Sequence, residues 1–507
     1  MASSYSPTVP WKGADFIGDA LKTFLFSRGS ADADLSGNRD VLEYRSRALY
    51  QNAPFAGAAV DTKVINVVGT GLSCRPAVKK EFLADVDEKV IREFEERARG
   101  IFDLWAYSKD CDAEREKNFY QMQELIMKTK AICGDCFALR CWHKVPSSAF
   151  GLCYKLLEGN RCRNPFGKTD SKDLAMGVET DGNSAHVAYW FTKYPNCDVG
   201  SWDRFWETVR VPTYDVFGIR NVVHVYKADR PSQRRGVPWL APVIPMLKQQ
   251  ERYQDAELIN ALVQSMFTVF IKTSNSTVPN NFTGNVQGPE RVTPVDGAKA
   301  AAELSAGNVV ELGEGESIEV ADAKRPNTNY RDYMREVCME MASRLNMSYE
   351  QVLKHFEGSY NSVRGAILES KKMFDIERAN LASDFCQPVY DALIFECVML
   401  GVLNCPGFND PLKRMAWLNC DWIGDAPVML DPLKETTALK MQVDEQYKTR
   451  TQAVIEMNGG EYRKNVEELA KEAALREEYG VDAPGAVNRS VSVSEAKQII
   501  DDTEDEK

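Results

Sequence analysis

Three features that would place a sequence in a common class of protein are absent from this one. It contains no uninterrupted apolar run of the roughly 18 residues that cross a bilayer, because Glu396 interrupts the nearest candidate, residues 392–403. Its N-terminal residues carry no basic leader and are interrupted by Asp15 and Asp19, so we expect no signal peptide. Positive charge is in deficit, with 62 Lys and Arg against 74 Asp and Glu and a net charge of −12. These absences argue against a membrane-spanning protein and against a protein that grips nucleic acid with its whole surface.

The length and composition are those of a globular protein with several domains. The 507 residues exceed an ordinary domain of about 100–200 residues several-fold. The contents of 44% hydrophobic and 27% charged residues lie near the average for folded proteins. The thirteen cysteines are odd in number and scattered. Without a secretion signal, we expect reduced thiols and no disulfide framework.

The spacing of apolar residues predicts mixed α and β structure. Helical periodicity predicts helices over residues 15–26, 41–68, 90–105, 119–133, 238–270, 327–345 and 362–403, and a polar helical region over 431–479. Alternating, β-rich stretches predict strands within 137–225 and around 412–425. We expect residues 28–39, rich in Gly, Ser and Asp, to form a loose tether. The pattern over residues 273–326 predicts an insert that contains an Ala-rich helix at 297–304 and a strand pair at 309–312 and 317–320. The predicted class is α+β.

Two glycine-containing segments resemble nucleotide-binding loops without completing either motif. The segment from Gly69 to Cys74 has a cysteine where a dinucleotide fingerprint has its third glycine, and no helix is predicted to follow it. We interpret it as the end of a helix, with a nucleotide loop as the alternative. Gly167-Lys168-Thr169 resembles a phosphate-binding loop, but Cys162 stands where that motif needs its first glycine. We therefore expect no ATP site there.

The cysteines and histidines offer no convincing catalytic arrangement. A C-x-x-C pair is followed by three further cysteines; the five are Cys133, Cys136, Cys141, Cys153 and Cys162. Buried free thiols are the favoured interpretation, with a zinc site and a redox pair as alternatives, because only one C-x-x-C pair is present. The four histidines are isolated from one another: His143, His186, His224 and His355. We predict no enzyme activity, metal site or cofactor.

Several co-linear blocks of sequence resemble the lambda-type portal proteins of tailed bacteriophages. They extend from about residue 40 to residue 481 and are RSRALYQNAPFAGAAVDTKVINVVGTGL from Arg45, DCDA from Asp110, DRPSQRRGVPWLAP from Asp229, YQDAEL from Tyr253, KRPNTNY from Lys324 and DPLKE from Asp431. One position departs from the pattern, because this chain has Ser359-Tyr-Asn-Ser-Val-Arg364 where the family commonly has Asn-Tyr-Ser-Ser-x-Arg. Several blocks in order are more specific than any single motif.

The resemblance implies a multidomain portal fold and a passive role in a particle. Such proteins form a ring, usually of twelve subunits, at one capsid vertex in the virion after assembly in the host cytoplasm. A separate ATP-driven terminase pumps double-stranded DNA through the ring, which also meets the major capsid and scaffold proteins and later the head–tail connectors. The implied segments are an N-terminal arm (1–39), a wing (40–237 and 363–430), a first stem helix (238–272), a clip (273–326), a second stem helix (327–346), a channel loop (347–362), a crown (431–481) and an acidic tail (482–507).

Two sets of residues are the candidate functional positions. The resemblance places the channel loop at the constriction, where we expect Lys354 to contact phosphates without reading bases. The alternative is a lysine of a surface loop that pairs with Glu357 or Glu350. His355, Asn361 and Arg364 complete this set. The stem helices carry more apolar residues than one hairpin can bury, which predicts contacts between subunits at Leu258, Leu262, Met266 and Met341.

Two functions from other classes remain as alternatives. A metal-dependent DNA-processing enzyme would use acidic residues to hold metal ions, and it requires a tight carboxylate set that the sequence does not reveal. A purely structural capsid or tail-adaptor protein would share the ring but would have no pair of stem helices around an insert.

Overall fold

A computed structural model describes residue 23 and residues 28–144, 148–194, 207–266, 270–273, 316–319, 330–356, 358–426, 431–460 and 462–479. The chain forms two compact units. The first comprises Met1–Ala241 and Asn346–Lys507, and the second comprises Pro242–Leu345. Among the described residues, no helix has the length and apolar character needed to cross a membrane.

Helices and strands both contribute to the described structure, which agrees with the predicted mixed class. The helices are α1 Ala31–Ser36, α2 Arg39–Asn52, α3 Pro54–Val67, α4 Glu88–Tyr107, α5 Phe119–Cys133, α6 Ile244–Met266, α7 Tyr330–Arg344, α8 Tyr349–Leu353, α9 Tyr360–Leu381, α10 Gln387–Met399, α11 Pro411–Trp417, α12 Pro432–Asp444, α13 Arg450–Asn458 and α14 Tyr462–Glu478. The strands are β1 Ser73–Pro76, β2 Asp135–Trp142, β3 Leu152–Glu158, β4 Leu174–Ala175, β5 Val178–Thr180, β6 His186–Thr192, β7 Thr208–Pro212, β8 Val222–Tyr226, β9 Phe270–Thr273, β10 Glu316–Glu319 and β11 Cys420–Ile423.

Two antiparallel sheets share the first hydrophobic core of the larger unit. One sheet has the strand order β3-β2-β8 and the other β4-β5-β6-β7. Their buried side chains meet in one cluster, formed by Phe137, Leu157, Cys162, Val178, Tyr189, Phe191 and Val222. Phe137 packs edge-on against Phe191, with ring centroids 5.1 Å apart. Apolar burial of this kind is the main stabilising term for such a pair of sheets.

A second core consists mainly of aromatic side chains from helices and from the short sheet β1-β11. Phe102 of α4 packs edge-on against Phe119 of α5, with ring centroids 5.3 Å apart, and against Trp422 of β11 at 5.6 Å. Tyr390 of α10 contacts the same ring of Phe102 at 5.8 Å. Strands β1 and β11 are antiparallel and pair Cys74 with Trp422. The N-terminal and C-terminal parts of the first unit therefore share one core.

A buried carboxylate joins α2, β2 and the segment after β8. The side chain of Asp135 is fully buried and accepts hydrogen bonds from Arg235 Nε at 2.6 Å and from Arg39 Nη2 at 3.1 Å. Arg235 also donates to the carbonyl oxygens of Gly159 (2.6 Å) and Cys162 (2.9 Å). Burial opposes ionisation of Asp135, but the adjacent Arg235 and Arg39 outweigh it and hold the pKa of the carboxyl well below its usual range. The carboxyl group of Asp135 therefore stays ionised although it is buried in the fold.

Two glycines let the backbone approach this cluster closely. Gly134 has φ +91°, a conformation that favours glycine, and a side chain on Gly236 would meet the carbonyl oxygen of Gly134 at 2.0 Å. The amide of Gly236 donates to Asp135 Oδ2 at 3.1 Å. A glycine directly after Arg235 is therefore required for the close packing of this segment against β2.

The structure corrects three predicted elements of the first unit. The helix predicted over 41–68 is two helices, because Pro54 has no amide hydrogen and Ala53 before it is extended (ψ 113°). Of the strands predicted around 412–425, β11 is present, but residues 412–417 belong to α11, with Asp410 accepting the amide of Leu412 at the N-terminus. The single helix predicted over 362–403 is α9 and α10 joined by a π-helical turn, Ala382–Cys386.

The predicted tether over residues 28–39 is also wrong. This stretch contains α1, whose cap Ser30 accepts the amide of Ala33. Asp34 forms an ion pair with Arg230 at 2.5 Å, and Asp32 pairs with Arg234 at 3.2 Å. These contacts attach the segment to the chain after β8.

The second unit also differs in part from its prediction. Helix α6 ends at Met266, and strand β9, Phe270–Thr273, occupies residues 270–272, predicted as the end of the first stem helix, together with Thr273, predicted as the start of the clip. Strand β10 pairs with β9 in antiparallel fashion, Thr273 lying opposite Glu316. The partner strand predicted at 309–312 and the helix predicted at 297–304 lie outside the described residues, as do the helix predicted at 15–26, apart from residue 23, and the acidic tail.

We expect Asp135→Asn to destabilise the first unit strongly. The substitution preserves shape but leaves Arg235 buried without its counter-charge and removes one of the carboxylates that pair with Arg39, which keeps Glu43. Breaking a buried pair in this way costs about 3–5 kcal/mol. Chemical denaturation followed by tryptophan fluorescence measures the change. Glu88→Gln is the control, because it breaks an exposed pair with Lys80 (2.6 Å), and exposed pairs of this kind contribute little to stability. Equal effects of the two substitutions would contradict the role assigned to Asp135.

Candidate functional site

Residues 346–364, after α7, are more ordered than the loop that the sequence predicts. Helix α8 occupies the first half, and its cap Ser348 accepts the amide of Gln351 at 3.4 Å. Met347 and Val352 are buried, with exposed fractions of 5% and 1%. Ser359 caps α9 by accepting the amide of Ser362. The part left irregular is therefore the short connection between α8 and α9.

Lys354 lies at the start of this connection in a strained backbone conformation. Its φ is +54°, in the left-handed region, and its amide donates to the carbonyl oxygen of Glu350. A residue with a Cβ pays roughly 1–2 kcal/mol for this conformation. The exposed ammonium group forms no hydrogen bond or ion pair with any residue that the structure describes. Lys354 thus presents an available positive charge from a defined backbone position.

The other three predicted contact residues follow within the same short stretch. The amide of His355 donates to the Glu350 carbonyl oxygen at 3.1 Å, and the residue is exposed. Asn361 is exposed and Arg364 half-buried in the first turns of α9, where their spacing of three residues places them on one face. Within the described residues, the Arg364 guanidinium also has no ion-pair partner.

Two lysines in the middle of α9 are neutralised locally. Lys372 pairs with Glu369 at 2.5 Å, and Lys371 approaches Asp375 to 3.8 Å. Pairs of this kind on one helix are exposed and weak, but they cancel the local charge. Lys354 and Arg364 are therefore the lysine and arginine of this segment that have no ion-pair partner among the residues described around them.

In the second unit, α6 and α7 contact each other through aromatic side chains. Tyr253 stacks on Tyr330, with ring centroids 5.8 Å apart, and packs edge-on against Tyr333 at 5.0 Å. Gln250 Nε2 donates to Cys338 Sγ at 3.8 Å. Met341 is fully buried in the single chain, so it has no surface left for a neighbouring subunit and we reassign it to packing within the chain.

Apolar side chains further along α6 remain exposed. The exposed fractions are 72% for Leu258, 59% for Ile259 and 55% for Leu262. These three residues form one stripe, because residues one, three and four apart on a helix share a face about 100° wide. Ile259 is not among the contact residues predicted from the sequence, although its position next to Leu258 could have indicated that it shares the stripe. Met266 has no described side chain.

The segment from Gly69 to Cys74 follows the end of a helix, as predicted, and its last two residues begin strand β1. Helix α3 ends at Val67, and Gly69 and Gly71 follow with φ of +56° and +112°. Asp425 accepts from the amide of Thr70 at 2.7 Å and from its hydroxyl at 2.5 Å. A carboxylate thus occupies the donors that a phosphate would need, and it would repel one.

The five clustered cysteines are free thiols; four are buried and Cys141 is partly exposed. Burial raises the pKa of Cys133 to about 12, which makes this thiol a poor nucleophile. His224 lies buried between Phe137 and Tyr226, each 4.2 Å away between ring centroids, and burial lowers its pKa to about 4. Among the described residues, no group of three or more His, Cys, Asp or Glu side chains is arranged to hold a metal ion.

Comparison with known proteins gives the family. The sequence profile described as "Phage portal protein, lambda family" matches residues 18–378. The chain is 24% identical to Portal protein B of Escherichia phage lambda, over 93% of this chain and 90% of the relative. It is 23% identical to the Portal protein of Escherichia phage N15, over 93% and 91%. The chain therefore belongs to the lambda family of phage portal proteins.

Phage portal proteins are components of the virion at the capsid vertex. Two solved structures also resemble the chain. The neck of an empty GTA particle, computed with C6 symmetry, matches with a TM-score of 0.46 and 10% identity over 83% of this chain and 93% of the other. The neck of a native GTA particle, computed with C12 symmetry, gives 0.44 and 10% over the same shares.

We expect Leu258→Asp to weaken self-association without unfolding the chain. Leu258 is exposed in the single subunit, so a charge there is solvated in the monomer and becomes costly only when a neighbour covers it. Light scattering after size-exclusion chromatography should show smaller species. Asn260→Asp is the matched control, because it adds the same charge to an exposed position on another face of α6. An unchanged oligomer for Leu258→Asp would show that this stripe is not an interface.

Proposed function

We propose that the chain forms a ring, with the dodecamer usual for such proteins, that serves as the channel for double-stranded DNA at one capsid vertex. DNA enters through it during packaging by the terminase and leaves through it during ejection. The ring would assemble in the host cytoplasm, contact the major capsid and scaffold proteins, and later carry the head–tail connectors. Family membership over most of the chain supports this proposal.

The charge distribution suits a conduit that binds DNA weakly. With a net charge of −12 per subunit, a ring repels the DNA polyanion over most of its surface, and DNA that is not held can slide. The available positive groups of Lys354 and Arg364 would then provide a sparse ring of phosphate contacts. The DNA-contact proposal rests on this arrangement, in which an acidic protein has a few cations without described partners in one segment.

The clip is the proposed docking surface for the terminase and the connector. It corresponds to residues 273–326, of which Thr273 and strand β10 are described. Because Thr273 and Glu316 lie opposite each other in the β9-β10 pair, the ends of the intervening segment are adjacent. This adjacency allows the segment to be removed without stretching the chain.

We expect replacement of residues 274–315 by Asn-Gly to abolish packaging while the ring still assembles. An Asn-Gly turn closes a two-stranded antiparallel hairpin, so β9 and β10 can keep their register. Negative-stain microscopy measures ring assembly, and pull-down with the large terminase subunit measures docking. Normal packaging by rings of this variant would contradict the assignment of the clip.

We expect Lys354→Glu to reduce the DNA packaged or retained per particle, and Lys354→Asn to have a smaller effect in the same direction. Asparagine tolerates the left-handed conformation and removes only the charge, whereas glutamate places a ring of negative charge beside the DNA. DNase-protected DNA per particle is the measurement. The deficit of Lys354→Asn should shrink at high salt, which screens phosphate contacts.

Two control variants separate charge from structure. Lys354→Arg keeps the charge and should retain packaging near wild type. Lys440→Glu makes the same charge change at an exposed position on α12 and should leave packaging unchanged. Wild-type DNA retention by Lys354→Glu at both salt concentrations would eliminate Lys354 as a functional contact.

A further inference from the structure

Two cysteine thiols from distant parts of the chain meet on one face of the β1-β11 sheet. The antiparallel register pairs Cys74 with Trp422 and Pro76 with Cys420, so the two cysteines lie diagonally across neighbouring strands and point to the same side. Their sulfur atoms are 3.0 Å apart, although 346 positions separate the residues in the sequence. This separation is only about 1 Å longer than a covalent S–S bond of about 2.05 Å.

The contacts at both ends of this sheet hold the two strands in register. At one end, the amide of Ala77 donates to the carbonyl oxygen of Asn419 at 3.0 Å, and Asn419 Nδ2 donates back to the Ala77 carbonyl oxygen at 2.6 Å. At the other end, Ser73 Oγ donates to the Ile423 carbonyl oxygen at 3.2 Å. The sulfur atoms are therefore held close by the surrounding backbone.

The two thiols differ in access to solvent. Cys74 is fully buried, whereas Cys420 is partly exposed. Burial, followed by the hydrogen bond with Cys420, raises the pKa of the Cys74 thiol well above its usual range. An oxidant in solution therefore reaches the Cys420 thiol first. The Cys74 thiol keeps its proton until Cys420 has formed a mixed disulfide with the oxidant.

We propose that Cys74 and Cys420 are a modification site, a reversible disulfide that forms when the protein passes from the reducing host cytoplasm to an oxidising medium. The change of medium rests on the proposed virion function, whereas the pairing of the two thiols rests on the geometry of the sheet. The bond would covalently join the strand after α3 to the strand that precedes the predicted crown. The disulfide would therefore stiffen the first unit in the released particle. In the cell the two thiols would stay reduced, so the bond would not restrict assembly.

The chemistry is ordinary thiol–disulfide exchange with a small disulfide oxidant such as oxidised glutathione. The Cys420 thiolate attacks one sulfur of the oxidant, forms a mixed disulfide and releases one glutathione thiolate. The Cys74 thiol then gives up its proton to that thiolate and attacks the Cys420 sulfur, displacing the second glutathione. In total, two protein thiols are oxidised to one disulfide and one glutathione disulfide is reduced to two glutathione thiols.

Cys386 is the competing partner. It lies at the end of the π-helical turn and is fully buried, and its thiol is close enough to Cys420 to affect the pKa of Cys386 electrostatically. Unlike Cys74, it is held on a helix and not on the paired strand. The experiment must therefore identify which thiol joins Cys420.

The test uses the purified full-length protein treated with oxidised glutathione, alkylated and digested for mass spectrometry. We expect a peptide that links Cys74 to Cys420, the loss of two free thiols per chain, and reversal by dithiothreitol. Oxidation should raise the thermal unfolding midpoint of the wild-type protein. Cys420→Ser should lose both the linked peptide and the rise in midpoint. Cys141→Ser, which removes another partly exposed thiol, should keep both.

Three results would overturn the proposal. They are a link between Cys386 and Cys420, a glutathione adduct on Cys420 that never resolves, and no loss of thiols under conditions that oxidise a control dithiol peptide. Because all readouts are made on purified protein, a failure here leaves the packaging function standing. Conversely, a failure of the packaging experiments leaves the linked peptide unaffected.

Discussion

The buried charge of Asp135 is the constraint on which the arrangement of the first unit depends. A carboxylate without solvent is tolerated only with counter-charges and full hydrogen bonding. Arg39 brings α2 to it and Arg235 brings the segment after β8. Arg235 then uses its remaining donors on backbone carbonyl groups, among them that of Gly159 at the end of β3. The ionised side chain of Asp135 thus determines how α2, β2 and the segment after β8 pack together.

A second buried charge positions α9, the helix that starts at the candidate DNA contact. Glu377 of α9 accepts hydrogen bonds from Lys63 of α3 at 3.1 Å and Lys130 of α5 at 2.9 Å. Burial raises the pKa of Glu377, but the two lysines outweigh it and bring the value to about 2. Lys63 also lies 4.4 Å from the centre of the Trp239 ring. The direction of α9, and so the placement of Arg364, follows from this charged contact.

The bounds of helices with strong apolar periodicity could be predicted from the sequence. Elements that depend on a single capping residue or on contacts with distant parts of the chain could not. Periodicity predicted 119–133, the bounds of α5, and most of α4. Strands are predicted around 412–425 because the seven residues of α11 are too few to show a helical period, and this helix is instead defined by its cap at Asp410. Residues 347–362, predicted as the channel loop, contain α8, which the sequence did not reveal because this short helix packs through the buried Val352.

The sequence by itself determined the mixed class, the family and the acidic character, because these depend on local periodicity, ordered blocks and composition. Only the tertiary structure decided that Met341 is internal while Leu258 is exposed, since both are apolar residues on predicted helices. It alone also brought Cys74 to Cys420 and Arg235 to Asp135. Residues so far apart in the chain meet through the packing of whole elements, and no local pattern of residues records which of them become neighbours.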